Sequence, residues 1–118
     1  CYDRHFPGSV AALAGGGAQL VLQPSVTFGA TSQRMWRRES EVDALRHGVH
    51  LGVSNRRGAE SPWGIEYFGD SHFVGPAGPF PARAPMEGLC VADLELGALG
   101  HGAGWDLSRD RRPDCYSS

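Results

Sequence analysis

The sequence predicts an α/β layered fold on three observations. The run Ala18 to Gln23 is apolar, of strand length and without polar alternation, the pattern of a strand buried on both faces. From about Thr31 to Gly48, Met35, Val42 and Leu45 stand among charges, which reads as a helix with one apolar stripe and a solvated face. Val49 to Ser54 follows at once as a second strand, so helix and strand alternate.

The other elements fall between these. Phe6-Pro7 and Gly8-Ser9 read as a turn entering a short helix over Val10 to Ala14, with Ser9 as its cap and Gly15-Gly16-Gly17 as its end. Pro24 stops the first strand, and Pro24 to Gly29 occupies the strand end, where layered α/β folds place ligand contacts. Asn55-Arg56-Arg57-Gly58 closes the second strand, and a polar loop with Ser61-Pro62 leads on to Tyr67. Phe73 and Val74 before the Pro76-Ala77-Gly78 turn read as a hairpin arm. Gly88 to Leu96 supplies a further strand, with Leu89, Val91, Leu94 and Leu96 spaced for burial. Glycine-rich 97–104 follows, and then a tail, Arg109 to Asp114, whose dense opposite charges predict docking on the domain or on a partner subunit.

Length and charge bound the function. At 118 residues the chain is one domain at most. A net charge of −2, with no basic face beyond Arg34, Arg37 and Arg38, argues against nucleic acid as a partner. No apolar run approaches the roughly 20 residues of a membrane span, and no signal-peptide pattern opens the chain. A soluble cytoplasmic location is therefore expected. Three cysteines, Cys1, Cys90 and Cys115, lack CxxC spacing, so neither a disulfide framework nor a zinc site is indicated. His47, His50, His72 and His101 show no ligand spacing either, and no metal or cofactor is expected.

The chemistry concentrates in Cys1-Tyr2-Asp3-Arg4-His5-Phe6-Pro7-Gly8. Thiolate is the nucleophilic form of cysteine, and neighbouring positive charge favours it. Residue types alone leave two readings of Cys1 open, a covalent nucleophile and a cysteine without a role. The guanidinium of Arg4 suits a carboxylate, which it grips with two parallel hydrogen bonds; the competing reading is an ion pair with Asp3 or the tail acids. His5 reads as a supporting histidine rather than a base. Glu39 reads as a helix-face charge paired with Arg38 or Arg46, or as a site residue.

CYDRHFP resembles the segment around the nucleophilic cysteine of the nitrilase superfamily of carbon–nitrogen hydrolases, in particular its N-carbamoyl amidohydrolase branch. GAQLVLQPSVT, MWRRES, GVSNRRG, YFGDSHFVGPAG, VADLEL and WDLSRDRRPDCY agree with it in order and spacing, so the likeness covers nearly the whole chain. It implies the C-terminal half of a nitrilase-type α-β-β-α sandwich. Residues 1–118 then form a partial carbon–nitrogen hydrolase domain that begins at the nucleophilic cysteine.

The implied reaction is hydrolysis of a non-peptide C–N bond in an N-carbamoyl amine or amino acid, a small-molecule substrate. Cys1 is the implied nucleophile, the backbone N–H of Tyr2 lines the oxyanion hole, and Arg4 and Thr27 contact a substrate carboxylate. The Tyr2 ring is expected to be a packed aromatic. The family's base glutamate and its lysine lie upstream of the cysteine, so the missing N-terminal half is a required partner and these residues alone are expected to be inactive. The family's habit of assembly implies a homo-oligomer. Asn55 and Ser71 match positions near strand ends that form turns.

Three positions depart from the family pattern. Gly8 stands where relatives carry glutamate, His47 replaces an asparagine, and Gly75 replaces the aspartate of a DPxG turn. They point to a divergent substrate or an impaired copy. Two rival readings remain: an N-terminal-nucleophile hydrolase whose α-amino group is the base, and a degenerate assembly module without catalysis.

Overall fold

The computed structural model describes residues 1–81, 83–98 and 106–116; His101, Trp105 and most of the glycine-rich stretch lie outside them. After a short 3-10 turn, Asp3–His5, helix α1 runs Pro7–Gly15, strand β1 Leu20–Ser25, helix α2 Ala30–His47 and strand β2 His50–Asn55. Then come β3 Arg57–Glu60, β4 Ile65–Phe68, β5 His72–Gly75, β6 Gly78–Pro79, β7 Arg83–Met86, β8 Leu89–Val91 and a terminal turn of helix, α3 Pro113–Tyr116. The main sheet has the order β1-β2-β5-β6. β1 and β2 are parallel and joined across α2, with Leu20 opposite His50 and Ser25 opposite Asn55, whereas β5 returns antiparallel on β2.

Pro7 opens α1 at its first position, where the missing N–H costs nothing. Ser9 lies inside the helix, and its hydroxyl donates to the carbonyls of Asp3 and Phe6 instead of capping. β1 runs through Pro24 rather than stopping at it, because an edge strand tolerates a residue that cannot donate to a ladder. Gly48, at φ 62, ends α2 in the left-handed region and returns its N–H to the carbonyl of Ala44.

The helices cover one face of the sheet. Val10, Val21, Trp36, Ala44, Val49, Leu51, Val53 and Val74 form the core there. The buried face of α2 differs from the expected stripe. Met35, Val42 and Leu45 are all exposed, while Trp36, Ser40, Asp43 and Ala44 are buried. Their spacing is helical, but two of the four are polar and escape a search for apolar residues. Burial of Ser40 is offset by its hydroxyl, which donates to His72 Nε2 at 2.8 Å and lies 2.9 Å from the Arg37 carbonyl.

Two further expectations are corrected. The presumed polar loop holds the β3–β4 hairpin, Arg57 opposite Phe68. The strand expected over Gly88 to Leu96 pairs with β7 only at Leu89–Val91, and Leu89 and Leu96 are exposed. β7 and β8 form a separate two-stranded ribbon, so no second layer covers those leucines. In the tail, Arg109 pairs with Asp110 and Arg112 with Asp114, and Tyr116 is exposed.

Candidate active site

The parallel strands β1 and β2 end together, and the chain leaving β1 bends over that end before α2 begins. Cys1 meets this bend from the other side. Its Sγ is 3.3 Å from Thr27 Oγ1 and receives the backbone N–H of Val26 at 3.4 Å. The thiol is exposed, beside a cavity of about 240 Å3 lined by Arg4, Ser9, Val10, Leu22 and Pro24 among others. The Val26 N–H is a donor to the sulfur, and between Sγ and the Thr27 hydroxyl either group can donate.

Asn55, at the end of β2, holds the bend in place. Its Oδ1 accepts the Thr27 N–H at 2.7 Å, and its Nδ2 donates to the carbonyls of Thr27 at 3.0 Å and Gly69 at 3.1 Å. Ser71 Oγ accepts the Asn55 N–H at 3.0 Å. Both residues therefore organise the loop, in keeping with their expected turn-forming role. Phe28 forms a bridge to Tyr67, and their rings meet edge to face. Thr27 is buried beneath this cover.

Arg4 is buried, with its guanidinium stacked 4.6 Å from the centre of the Trp36 ring. Nη1 donates to Glu39 Oε2, and the other carboxylate oxygen of Glu39 lies 2.7 Å from His5 Nδ1. Glu39 thus pairs across to the 3-10 turn, and the described partner of Arg4 is Glu39 and neither Asp3 nor a tail acid. Burial lowers the Arg4 pKa, and Glu39 opposes that shift. Arg4 Nε and Nη2 are buried without a hydrogen-bond partner among the described residues.

The Tyr2 carbonyl closes the 3-10 turn by accepting the His5 N–H at 3.1 Å. Tyr2, its ring expected to pack, is 72% exposed, and the ring meets those of His5 and Phe6 edge to face. The turn is too short to fold the ring back over the core. His50 and His72 are buried structural histidines. His72 Nδ1–H donates to the Asp70 carbonyl at 2.9 Å, and His50 Nε2–H to the Glu95 carbonyl at 3.2 Å.

Two contributors were invisible in the sequence: the Val26 amide carries no side-chain signal, and Trp36 serves Arg4 only once α2 packs against the turn. Glu39, which the sequence leaves between a helix-face charge and a site residue, shares one helix face with Trp36, Ser40 and Asp43 by the i, i+3, i+4, i+7 spacing.

A sequence model of the family described as Carbon-nitrogen hydrolase matches residues 1–102. An N-carbamoylputrescine amidase from Arabidopsis thaliana is 32% identical over 98% of this chain, which spans 44% of that protein. A carbon–nitrogen hydrolase from Helicobacter pylori superposes with a TM-score of 0.82 at 25% identity, covering 98% of this chain and 45% of that one. An amidase from a Nesterenkonia species, solved with the acetamide moiety of fluoroacetamide covalently added at its active-site cysteine, gives a TM-score of 0.73 at 34% identity, over 98% of this chain and 40% of that one. The chain spans less than half the length of these relatives. With the family match running from Cys1 through the strands that build the site, the chain belongs to the carbon–nitrogen hydrolases and carries part of their mixed α/β fold.

Proposed function

We propose that the complete polypeptide hydrolyses the C–N bond of an N-carbamoyl amine or N-carbamoyl amino acid, with Cys1 as the nucleophile. The observation that carries this reading is the placement of the Cys1 sulfur, exposed to a cavity and held between the Val26 N–H and the Thr27 hydroxyl. The similarity to an amidase whose active-site cysteine takes a covalent adduct supports it.

In the proposed reaction the thiolate forms a C–S bond to the carbamoyl carbon. Negative charge that gathers on the carbonyl oxygen is met by backbone N–H donors, that of Tyr2 among them. The C–N bond to the terminal nitrogen then breaks, and ammonia leaves with a transferred proton. Water hydrolyses the remaining thiocarbamate, freeing Cys1 and a carbamic acid that decomposes to the amine and carbon dioxide.

Neither described hydrogen-bond partner of the sulfur is a base, so we read the 118 residues as inactive by themselves, in need of an acid–amine pair from the rest of the polypeptide. The sheet face opposite the helices suits that remainder. Leu22 is 67% exposed there, and a cavity over Gly52 is lined by Leu22 and Phe73 together with Gly88, Leu89 and Cys90. For a carboxylate-bearing substrate, Nε and Nη2 of Arg4, which have no hydrogen-bond partner among the described residues, are the candidate donors.

The test is labelling and turnover in the complete polypeptide. Fluoroacetamide is expected to modify the peptide carrying Cys1, and Cys1→Ser to abolish hydrolysis of N-carbamoyl substrates. Turnover that survives the substitution, or an adduct only on Cys90 or Cys115, overturns the reading.

A further inference from the structure

We infer that Glu39 is a positioning residue for Cys1: through Arg4 and His5 it fixes the turn that presents the sulfur to Val26 and Thr27. This rests on the reading of Cys1 as the nucleophile, but its argument is geometric. The 3-10 turn is only Asp3–His5 and is closed by two backbone bonds, His5 N–H to Tyr2 at 3.1 Å and Phe6 N–H to Asp3 at 3.0 Å. So short an element does not set its own orientation. Its two consecutive basic side chains both end on one carboxylate, which takes Arg4 on one oxygen and His5 on the other. Glu39 is only 16% exposed, and Arg4 is further clamped over Trp36. Glu39 sits on α2, the helix that follows the loop bearing Val26 and Thr27. One rigid element therefore sets both sides of the sulfur's surroundings, the loop by sequence and the turn by this shared carboxylate.

The consequence is an energetic coupling between Glu39 and Thr27, which the structure places in no direct hydrogen bond with each other. If Glu39 holds the sulfur against Thr27, removing the Thr27 hydroxyl matters only while Glu39 is present. The experiment is a double-mutant cycle on the complete polypeptide, following iodoacetamide alkylation of Cys1 by mass spectrometry of its peptide, with exposed Cys115 as internal reference. Thr27→Val is expected to slow Cys1 by about tenfold in the parent, the worth of one hydrogen bond to a charged group. In the Glu39→Gln background the slowing is expected to shrink below about threefold, as for contacts that act through one another.

Equal factors in both backgrounds overturn the inference, and so does an absence of any Thr27→Val effect in the parent. Should Glu39→Gln fail to fold, Glu39→Asp, too short to span both donors, takes its place in the same cycle with the same two outcomes. The cycle reads thiol reactivity without substrate, so its failure is distinct from failure of Cys1→Ser to abolish turnover, which would overturn the nucleophile reading.

Discussion

Asn55 and Thr27 are joined twice: the amide oxygen of Asn55 accepts the Thr27 N–H at 2.7 Å, and its NH2 donates to the Thr27 carbonyl at 3.0 Å. The pair converts a loop that covers the ends of two parallel strands into a fixed platform for the Cys1 sulfur.

Asn55→Asp keeps the acceptor for the Thr27 N–H but sets a carboxylate against the carbonyls of Thr27 and Gly69. It is expected to cost about 2 kcal/mol of stability and to lower kcat/KM of the complete polypeptide. Asn55→Ala is expected to be at least as damaging. Urea denaturation and steady-state kinetics check both.

Arg4 is expected to separate substrate classes. Arg4→Lys keeps the charge but loses the fork geometry, so KM should rise more for carboxylate-bearing N-carbamoyl compounds than for neutral amides. Equal effects on the two would assign Arg4 wholly to its pairing with Glu39 and Trp36. In stability, Glu39→Ala should cost more than Arg4→Met, by roughly 1–3 kcal/mol, because it strands a buried cation instead of removing it.

His72 should make stability depend on pH. Burial lowers its pKa below the ordinary histidine value, so the unfolded chain binds the proton more readily than the folded one. Its contribution is intact above that ordinary value, about 6.5, and is lost progressively as pH falls through it toward the folded pKa. His72→Gln is expected to flatten this slope while lowering stability near neutrality, as read by thermal melts between pH 5 and 8, on the order of the histidine range.

Gly75 answers to packing. A Cβ there would lie 2.7 Å from both His50 Nδ1 and Phe80 Cε2, and those two rings meet edge to face with centroids 5.1 Å apart. Gly75→Ala is expected to destabilise by about 1–3 kcal/mol through overpacking. Phe80→Ala should relieve much of that added cost, whereas simple additivity of the two in denaturation would refute the account. The departure from the family's aspartate is thus matched inside this chain by His50 and Phe80. At Gly8 a Cβ would meet nothing within 4 Å, so no comparable constraint is visible there.

Residue patterns found the main elements. β1, α2, β2 and the β5–β6 arm fall where apolar runs and turn residues put them, within a few residues. Patterns failed where polar groups were buried with partners. Ser40 and Asp43 face inward on α2, and the apolar Met35, Val42 and Leu45 face outward, so a rule that equates burial with apolarity picks the wrong side. They failed also for β3–β4, whose residues are exposed or half-buried except Tyr67 and carry no hydrophobic period.

By itself the sequence determined the fold class and the family through its ordered motifs, and it singled out Cys1 as the candidate nucleophile, because these depend on residue type and spacing along the chain. Only the tertiary structure decided that Arg4 and His5 share Glu39, that Trp36 lies against Arg4, and that a main-chain amide and Thr27 meet the sulfur. Those contacts join positions 25 to 35 residues apart. Such pairings follow from the packing of α2 and the β1–α2 loop against the turn after Cys1, and local preference has no means of specifying them.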